Sequence, residues 1–307
     1  MTMKPKLEVD IGGLKLKNPV MVASGTFGYG REFRDYVDSS KLGAIITKTI
    51  TRHRREGNRP PRLTETAAGM LNSIGLQNNG LDDFIKNKLK DYKGLKAKLI
   101  VSVGGETNDE YVEIVKTLSS YEEVSAFELN ISCPNIEYKD KIIAQDRDLT
   151  LRLVKDVRRA TSLPLIVKLS PNVCDITRIA RAVQEGGADA ISLINTILGM
   201  AIDVDKRKPV LGSITGGLSG PAIKPIALRM VWQVHNIVSL PVIGMGGIMN
   251  ARDAMEFIIA GASAVAIGTA NFVNPGASLE VLEGITSYLT EKNVGDINEL
   301  IGSLNVS

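Results

Sequence analysis

Cysteine and histidine are almost missing from this sequence of 307 residues, which holds two of each. Cys133 and Cys174 suggest neither a disulfide framework nor a CxxC metal pair, and a reducing, cytoplasmic setting is expected. No carboxylate–histidine group has metal-ligand spacing, so no metal is expected on this chain. Aromatic residues make up only 5%, too few for a surface built to stack exposed bases. The formal charge of +3 is small and gives no sign of a nucleic acid or membrane partner. No stretch approaches about 18 consecutive apolar residues, as a membrane-spanning helix requires. The opening MTMKPKLEVDIGG lacks the apolar segment of a signal peptide. What remains, 44% hydrophobic and 23% charged, is ordinary globular composition and points to an enzyme. α/β barrels often reach this length as one domain, so a single domain over residues 1–307 is expected.

Short β-branched runs recur along the chain. They are VMVAS (20–24), GAIITKT (43–49), LIVSVGG (99–105), AFELNIS (126–132), LPLIVKLS (163–170), ADAISLIN (188–195), PVIGMGG (241–247) and AVAIGTA (264–270). Each is bounded by Gly, Pro, Asn or Ser, the pattern of buried parallel strands. Helical spacing fills several gaps. In 224–237, Ile226, Met230, Val234 and Ile237 fall on one stripe, and Gly186–Gly187 stop a helix that carries Ala180 and Val183. Eight strands alternating with helices favour a (β/α)8 TIM barrel over a doubly wound open sheet. Residues 7–18 alternate around Gly12–Gly13 and predict an N-terminal hairpin. Residues 50–98 and 197–223 are long insertions, placed where barrel enzymes build their active sites.

Polar side chains gather at the strand ends. Because strand side chains alternate between faces, Glu128, Asn130 and Ser132 share one side of the fourth run. Lys168 and Ser170 repeat the pattern in the fifth, Lys48 ends the second and Asn195 the sixth. A buried charge or amide needs a partner or a ligand. Four such groups converging on one rim favour a ligand over paired core polars. Cys133 follows directly, on a loop stiffened by Pro134. Two readings stand for it: a base, since a thiol ionises close to neutrality, or a small buried hydrophobe. The second fits Cys174, in PNVCDITRI, better than Cys133. GMGG (244–247) and IGTA (267–270) end the last two strands. Such turns bind phosphate on backbone N–H groups, and with Gly220 nearby they favour a phosphorylated cofactor over ordinary tight turns. His235 reads as structural and His53, within RHRREGNRPPR, as part of a solvated loop.

Taken together, ASGTFGYG (23–30), NSIGLQN (72–78), NISCPN (130–135), GGLSGPAIKP (216–225) and the GMGG and IGTA turns resemble the dihydroorotate dehydrogenases, in order and over nearly the whole chain. Cysteine in NISCPN is similar to the cytosolic class 1 enzymes, since the membrane-associated class 2 enzymes carry serine there. ASGTFGYG and GGLSGPAIKP resemble class 1B, the NAD-linked group. The resemblance implies an FMN-containing barrel oxidising dihydroorotate to orotate in pyrimidine synthesis. By motif, Cys133 would take the C5 proton while the C6 hydride passes to flavin N5. Substrate would be held by Lys48, Asn72, Asn130, Asn135, Asn195 and Thr196, with the backbone of Ser73, Ile74, Gly75 and Leu76. Lys168 would lie near the flavin N1/O2 edge. Ser24, Lys48, Thr49, Ser102, Asn130, Ile194 and Gly220 would line the ring and ribityl chain, and Gly246, Gly247, Gly268 and Thr269 the phosphate. Two departures stand out: Ser102 replaces the asparagine of related sequences, and QNNG replaces QNPG, which loosens that loop.

Class 1B enzymes work with a second subunit carrying FAD and a 2Fe-2S cluster that passes electrons to NAD+, as a homodimer of catalytic chains within a heterotetramer. The resemblance therefore implies that partner here. Three rivals remain open: a fumarate-linked class 1A enzyme, a flavin barrel acting on another dihydropyrimidine, and a non-redox barrel that binds a sugar phosphate.

Overall fold

The computed structural model describes residues 5–132, 134–135 and 141–306. Eight parallel strands close into a barrel in chain order: β1 (Val20–Val22), β2 (Ala44–Ile46), β3 (Lys98–Val103), β4 (Val124–Asn130), β5 (Leu165–Leu169), β6 (Ala190–Leu193), β7 (Val242–Met245) and β8 (Ala262–Ile267). All eight predicted runs become these strands, and the fold is a (β/α)8 TIM barrel rather than an open sheet. Closure leaves no edge, so every strand is buried on both faces and reads as a nearly continuous apolar run. The residues of β1 and β2 are all at most 1% exposed.

Helices α1 (Asn108–Leu118), α2 (Arg147–Arg158), α3 (Ile176–Glu185), α4 (Lys224–His235), α5 (Ala251–Ile259) and α6 (Ala277–Glu291) follow β3 to β8. Several start at a side-chain cap, as orphan N–H groups require. Thr107 accepts from Glu110, Asp146 from Asp148 and Leu149, Asp175 from Thr177, and Asn250 from Asp253. The alternation is less regular early in the chain. After β1 stand two 3-10 turns, Arg31–Phe33 and Ser39–Lys41, and after β2 a short α, π and 3-10 succession over 81–92. On α4 the buried stripe is Ala227, Met230, Val231 and Val234, and the predicted Ile226 is 38% exposed. The helix begins at Lys224 with Pro225 in its first turn, and the predicted Met230 and Val234 do lie on the buried stripe.

The predicted hairpin forms as Val9–Ile11 paired with Leu14–Leu16. Gly12 and Gly13 both have positive φ, as a two-residue turn of this kind demands. Val9, Ile11, Leu14 and Leu16 are buried, and Asp10 and Lys15 face solvent.

His235 has the structural role expected of it. Its ring packs against Gly261 and Gly302 so closely that a Cβ on Gly261, where φ is +119°, would overlap the imidazole. Gly261→Ala combines that clash with a backbone that alanine rarely adopts. It should lower stability by about 2–4 kcal/mol, read as a shifted urea midpoint. Cys174 corrects a prediction: it is exposed, not a buried hydrophobe. It sits just before the capping Asp175, where the chain turns outward from β5 into α3.

The two insertions are not loops. Leu63–Thr66, Gly69–Asn72, Thr215–Ser219 and Ile197–Met200 form an antiparallel sheet. Gly217 pairs with Asn72, so segments 145 residues apart are joined over one end of the barrel. The basic run that leads into this sheet is tied down rather than merely solvated. Arg52 pairs with Glu113 and Asp82, Arg55 with Glu106, and Arg62 donates to Gln77 and to backbone carbonyls. His53 itself is exposed. Nor is the QNNG loop loose: buried Asn78 accepts from Thr51 and Gly80 N–H groups and donates to the Thr51 hydroxyl and the Leu76 carbonyl. An asparagine amide here does the pinning expected of a proline ring at the next position.

Candidate active site

Parallel register sets the polar groups side by side. Lys168 on β5 stands opposite Asn130 on β4 and opposite Ser192 on β6. Glu128, two residues before Asn130, shares its face and pairs in register with Ser102 of β3. All of these point into a barrel that the sheet of insertions covers. Between the barrel mouth and that sheet lies a cavity of about 390 Å³. That is within the usual range for small-molecule sites, roughly 300–1,000 Å³.

Amides and hydroxyls form one linked network on the β2–β6 side. Asn130 donates to the Thr49 hydroxyl (3.3 Å) and accepts from the Asn195 amide (3.3 Å). Asn195 also donates to Ser132 (3.0 Å), and its oxygen accepts from the Thr196 N–H (2.8 Å). Thr49 continues the chain to Ser24 (3.3 Å) and Ser102 (3.0 Å). Below, the Tyr111 hydroxyl donates to the Asn130 carbonyl and fixes the end of β4. Side chains held this way keep one orientation, which a site that reads a ligand's edge requires.

Two lysines reach the cavity wall from different environments. Lys168 is 6% exposed, and among the described residues its charge partner is the Glu128 carboxylate, Nζ to Oε2 3.8 Å. Lys48 is half-buried. Burial pushes its ammonium below the ordinary lysine range, with Glu32 opposing that shift and Arg62 adding to it. On the opposite side, glycines crowd together. A Cβ on Gly247 would come within 2.9 Å of the Gly220 carbonyl, and one on Gly220 within 2.7 Å of Gly69. Gly246, Gly247 and Gly220 all have positive φ. Gly268 faces the open space, its nearest neighbours 3.7 Å away, and Thr269 donates to Ser219 (2.8 Å). A concave wall of backbone without side chains suits an anionic group bound through N–H donors.

Most of the predicted site residues meet here. Ser24, Lys48, Thr49, Asn72, Ile74 and Leu76 line the cavity with Asn130, Lys168, Ile194, Asn195 and Thr196. So do Gly220, Gly246, Gly247, Gly268 and Thr269. Three do not. Ser102 is fully buried beneath Thr49, and serine is too short to pass it. Ser73 turns away to Asn58 and Ser213, and Gly75 packs on Asn58. Cys133 lies outside the described residues, as does the side chain of Asn135. Met70, Ser219, Met249 and Phe272 line the cavity without having been foreseen. Met70 and Ser219 depend on strand pairing between the two insertions, which no local pattern reveals. Glu128 was seen as a strand polar but given no place in the site.

Among the described residues no group of three or more His, Cys, Asp or Glu side chains could hold a metal ion, and no helix is long and apolar enough to cross a membrane. The sequence profile described as "Dihydroorotate dehydrogenase" matches residues 6–289. A protein of Desulforamulus reducens named "Dihydroorotate dehydrogenase B (NAD(+)), catalytic subunit" is 54% identical, covering 99% of this chain and 100% of that protein. Proteins of the same name from Geotalea daltonii (54% identical, 99% of each chain) and Bacteroides thetaiotaomicron (51%, 98% and 99%) are similar over almost their whole length. Barrel, cavity and relatives agree, and the chain belongs to the dihydroorotate dehydrogenase family.

Proposed function

We propose that this chain is the catalytic subunit of an NAD-linked, class 1B dihydroorotate dehydrogenase. On this reading a single FMN-binding barrel domain over residues 1–307 oxidises (S)-dihydroorotate to orotate, in the cytoplasm, for pyrimidine synthesis. The observation that carries it is the cavity itself. It has a buried lysine on one wall, a glycine-lined hollow on another, and a fixed cluster of amides between them. The relatives' shared name supports the same reading.

FMN fits these residues. Gly246, Gly247, Gly268 and Thr269 would hold its phosphate through backbone N–H groups, and Lys168 would stabilise anionic charge on its ring. Ser24, Thr49, Ile194 and Gly220 would line the ring and ribityl chain. When bound, FMN supplies the acceptor, at N5, for the hydride leaving C6 of the substrate. The chain's own part is binding, orientation and one proton. Asn72, Asn130, Asn135 and Asn195 each offer donor and acceptor to the pyrimidine edge. Lys48, with Thr196 and the backbone at Ile74 and Leu76, would bind the carboxylate. Cys133 would take the C5 proton on its sulfur. FAD and a 2Fe-2S cluster, which the resemblance implies, would reside on a partner subunit; two cysteines in this chain, against the four ligands a cluster usually takes, support that division. The assembly proposed is a homodimer of this chain within a heterotetramer.

The purified chain should be yellow and absorb near 450 nm, by roughly the spectrum of any bound flavin. That band should bleach on anaerobic addition of dihydroorotate and not of dihydrouracil. A colourless chain favours a sugar-phosphate barrel. NAD+ reduction should require the added partner subunit, and turnover of the isolated chain with fumarate would indicate class 1A instead.

Lys48 supplies a pH test. Its ammonium is lost at lower pH than an ordinary lysine's, because burial disfavours the charge. Raising the pH through that range removes the cation facing the substrate carboxylate, so KM for dihydroorotate should rise there. Lys48→Met should raise KM by about 10- to 100-fold at neutral pH, the scale of one charged hydrogen bond, and flatten the alkaline limb. A wild-type limb that persists in the variant would clear Lys48 of the role.

A further inference from the structure

Beneath the cavity lies a carboxylate that neither substrate nor cofactor binding has used. Glu128 has no exposed surface and does not line the cavity. Its Oε1 accepts from the Ser192 hydroxyl at 2.7 Å. Its Oε2 is buried with no hydrogen-bond partner, and Lys168 Nζ stands 3.8 Å away, beyond hydrogen-bonding reach. A buried carboxylate oxygen without a donor is costly, and a barrel interior has many uncharged ways to fill such a position. The register explains the arrangement. β4 points Glu128 and Asn130 to the same side, and Lys168 on β5 is in register with Asn130 while its Nζ reaches to within 3.8 Å of Glu128 Oε2. Ser192, opposite Lys168, holds the carboxylate by its other oxygen. The ammonium is thus placed close enough to feel the carboxylate and left free to donate upward.

Resting on the flavin reading above, we infer that Glu128 is a positioning residue that offsets the charge of Lys168 and so sets how strongly the site favours reduced over oxidised FMN. The sign follows from charge alone. Oxidised flavin is neutral at its ring, and reduced flavin carries a negative charge stabilised by a nearby cation. A carboxylate beside that cation weakens the preference, and removing it strengthens the preference. Such damping suits a cofactor that must give its electrons onward after taking them.

The experiment titrates oxidised and dithionite-reduced FMN separately against the full chain stripped of flavin, and takes the ratio of the two dissociation constants. Glu128→Gln keeps the shape and the acceptor for Ser192 but removes the charge. It should shift the ratio about tenfold toward reduced FMN, equivalent to roughly 30 mV for a two-electron couple. Glu128→Asp draws the charge back from Nζ and should shift it about threefold in the same direction. Ser192→Ala disturbs the same carboxylate without altering charge and should stay within about twofold of wild type. A ratio for Glu128→Gln within twofold of wild type overturns the inference, as does a Ser192→Ala shift as large as that of Glu128→Gln. Should Glu128→Gln fail to fold, Glu128→Asp decides, and a ratio at or below wild type overturns it. A wild-type chain that binds neither form of FMN overturns the flavin reading, and this inference with it. Binding of both forms with an unmoved ratio removes only the role of Glu128.

Discussion

Replacing Cys133 by serine should leave FMN bound and slow its reduction by dihydroorotate by about two to four decades, the usual effect of losing a general base. A thiol ionises within reach of neutral pH, and a serine hydroxyl does not, so on the proposed reading the substitution removes the base while changing little in size. The described residues on either side show what the loop is attached to. Asn130 and Ser132 are tied to Asn195, and backbone pairing resumes at Pro134–Asn135 against Lys141–Ile142. Position 133 therefore follows directly from a strand end whose amides already face the cavity. Serine leaves the binding amides of Asn130 and Asn195 untouched, so substrate affinity should change far less than the rate. Rapid mixing with dihydroorotate under anaerobic conditions separates the two. A reduction rate that stays within threefold of wild type would remove Cys133 from the chemistry, and a raised pH that restores the variant would point to a weaker base in the same place.

What could be read in advance follows a physical division. The barrel strands were legible because burial on both faces forces apolar runs, and nothing else in the chain looks like them. The converging polar residues were legible for the opposite reason: Lys168 and Asn130 interrupt such runs, and an interruption at a strand end needs an explanation. The sheet over the barrel was not legible. Its strands are short and half exposed, and they pair between the two insertions across 145 residues, as Gly217 does with Asn72. No periodicity within either segment encodes a partner so far away. Ile226 misled for a related reason. Apolar spacing gives a helix face but not its margins: Met230 and Val234 are buried as expected, while Ile226, in the first turn, is left 38% exposed. Ser102 shows the limit of arguing by motif. The motif placed it at the ligand, but its side chain is fully buried behind Thr49 and does not line the cavity. The QNNG loop shows the reverse: Asn79 stands where proline was expected, yet its neighbour Asn78 holds the loop with four hydrogen bonds.

Lys168→Ala should produce two losses that can be told apart. The first is in the fold. Removing the ammonium leaves the Glu128 carboxylate buried with no cation beside it, and breaking a buried pair from one side costs about 3–5 kcal/mol. The second is in the cofactor. A cation donating to the flavin ring contributes on the scale of a charged hydrogen bond, so FMN should bind about 10- to 100-fold more weakly. Adding Glu128→Gln to Lys168→Ala separates them. With the stranded charge gone, most of the lost stability should return, read as a urea midpoint moving back toward wild type. FMN affinity should stay low, because the donor is still missing. If the double variant regains both, the lysine acted only through the fold and does not touch the flavin. If Lys168→Ala alone keeps its full flavin content and a normal reduction rate, the lysine has no part in the site, and the buried pair on β4 and β5 is a structural feature of the barrel interior.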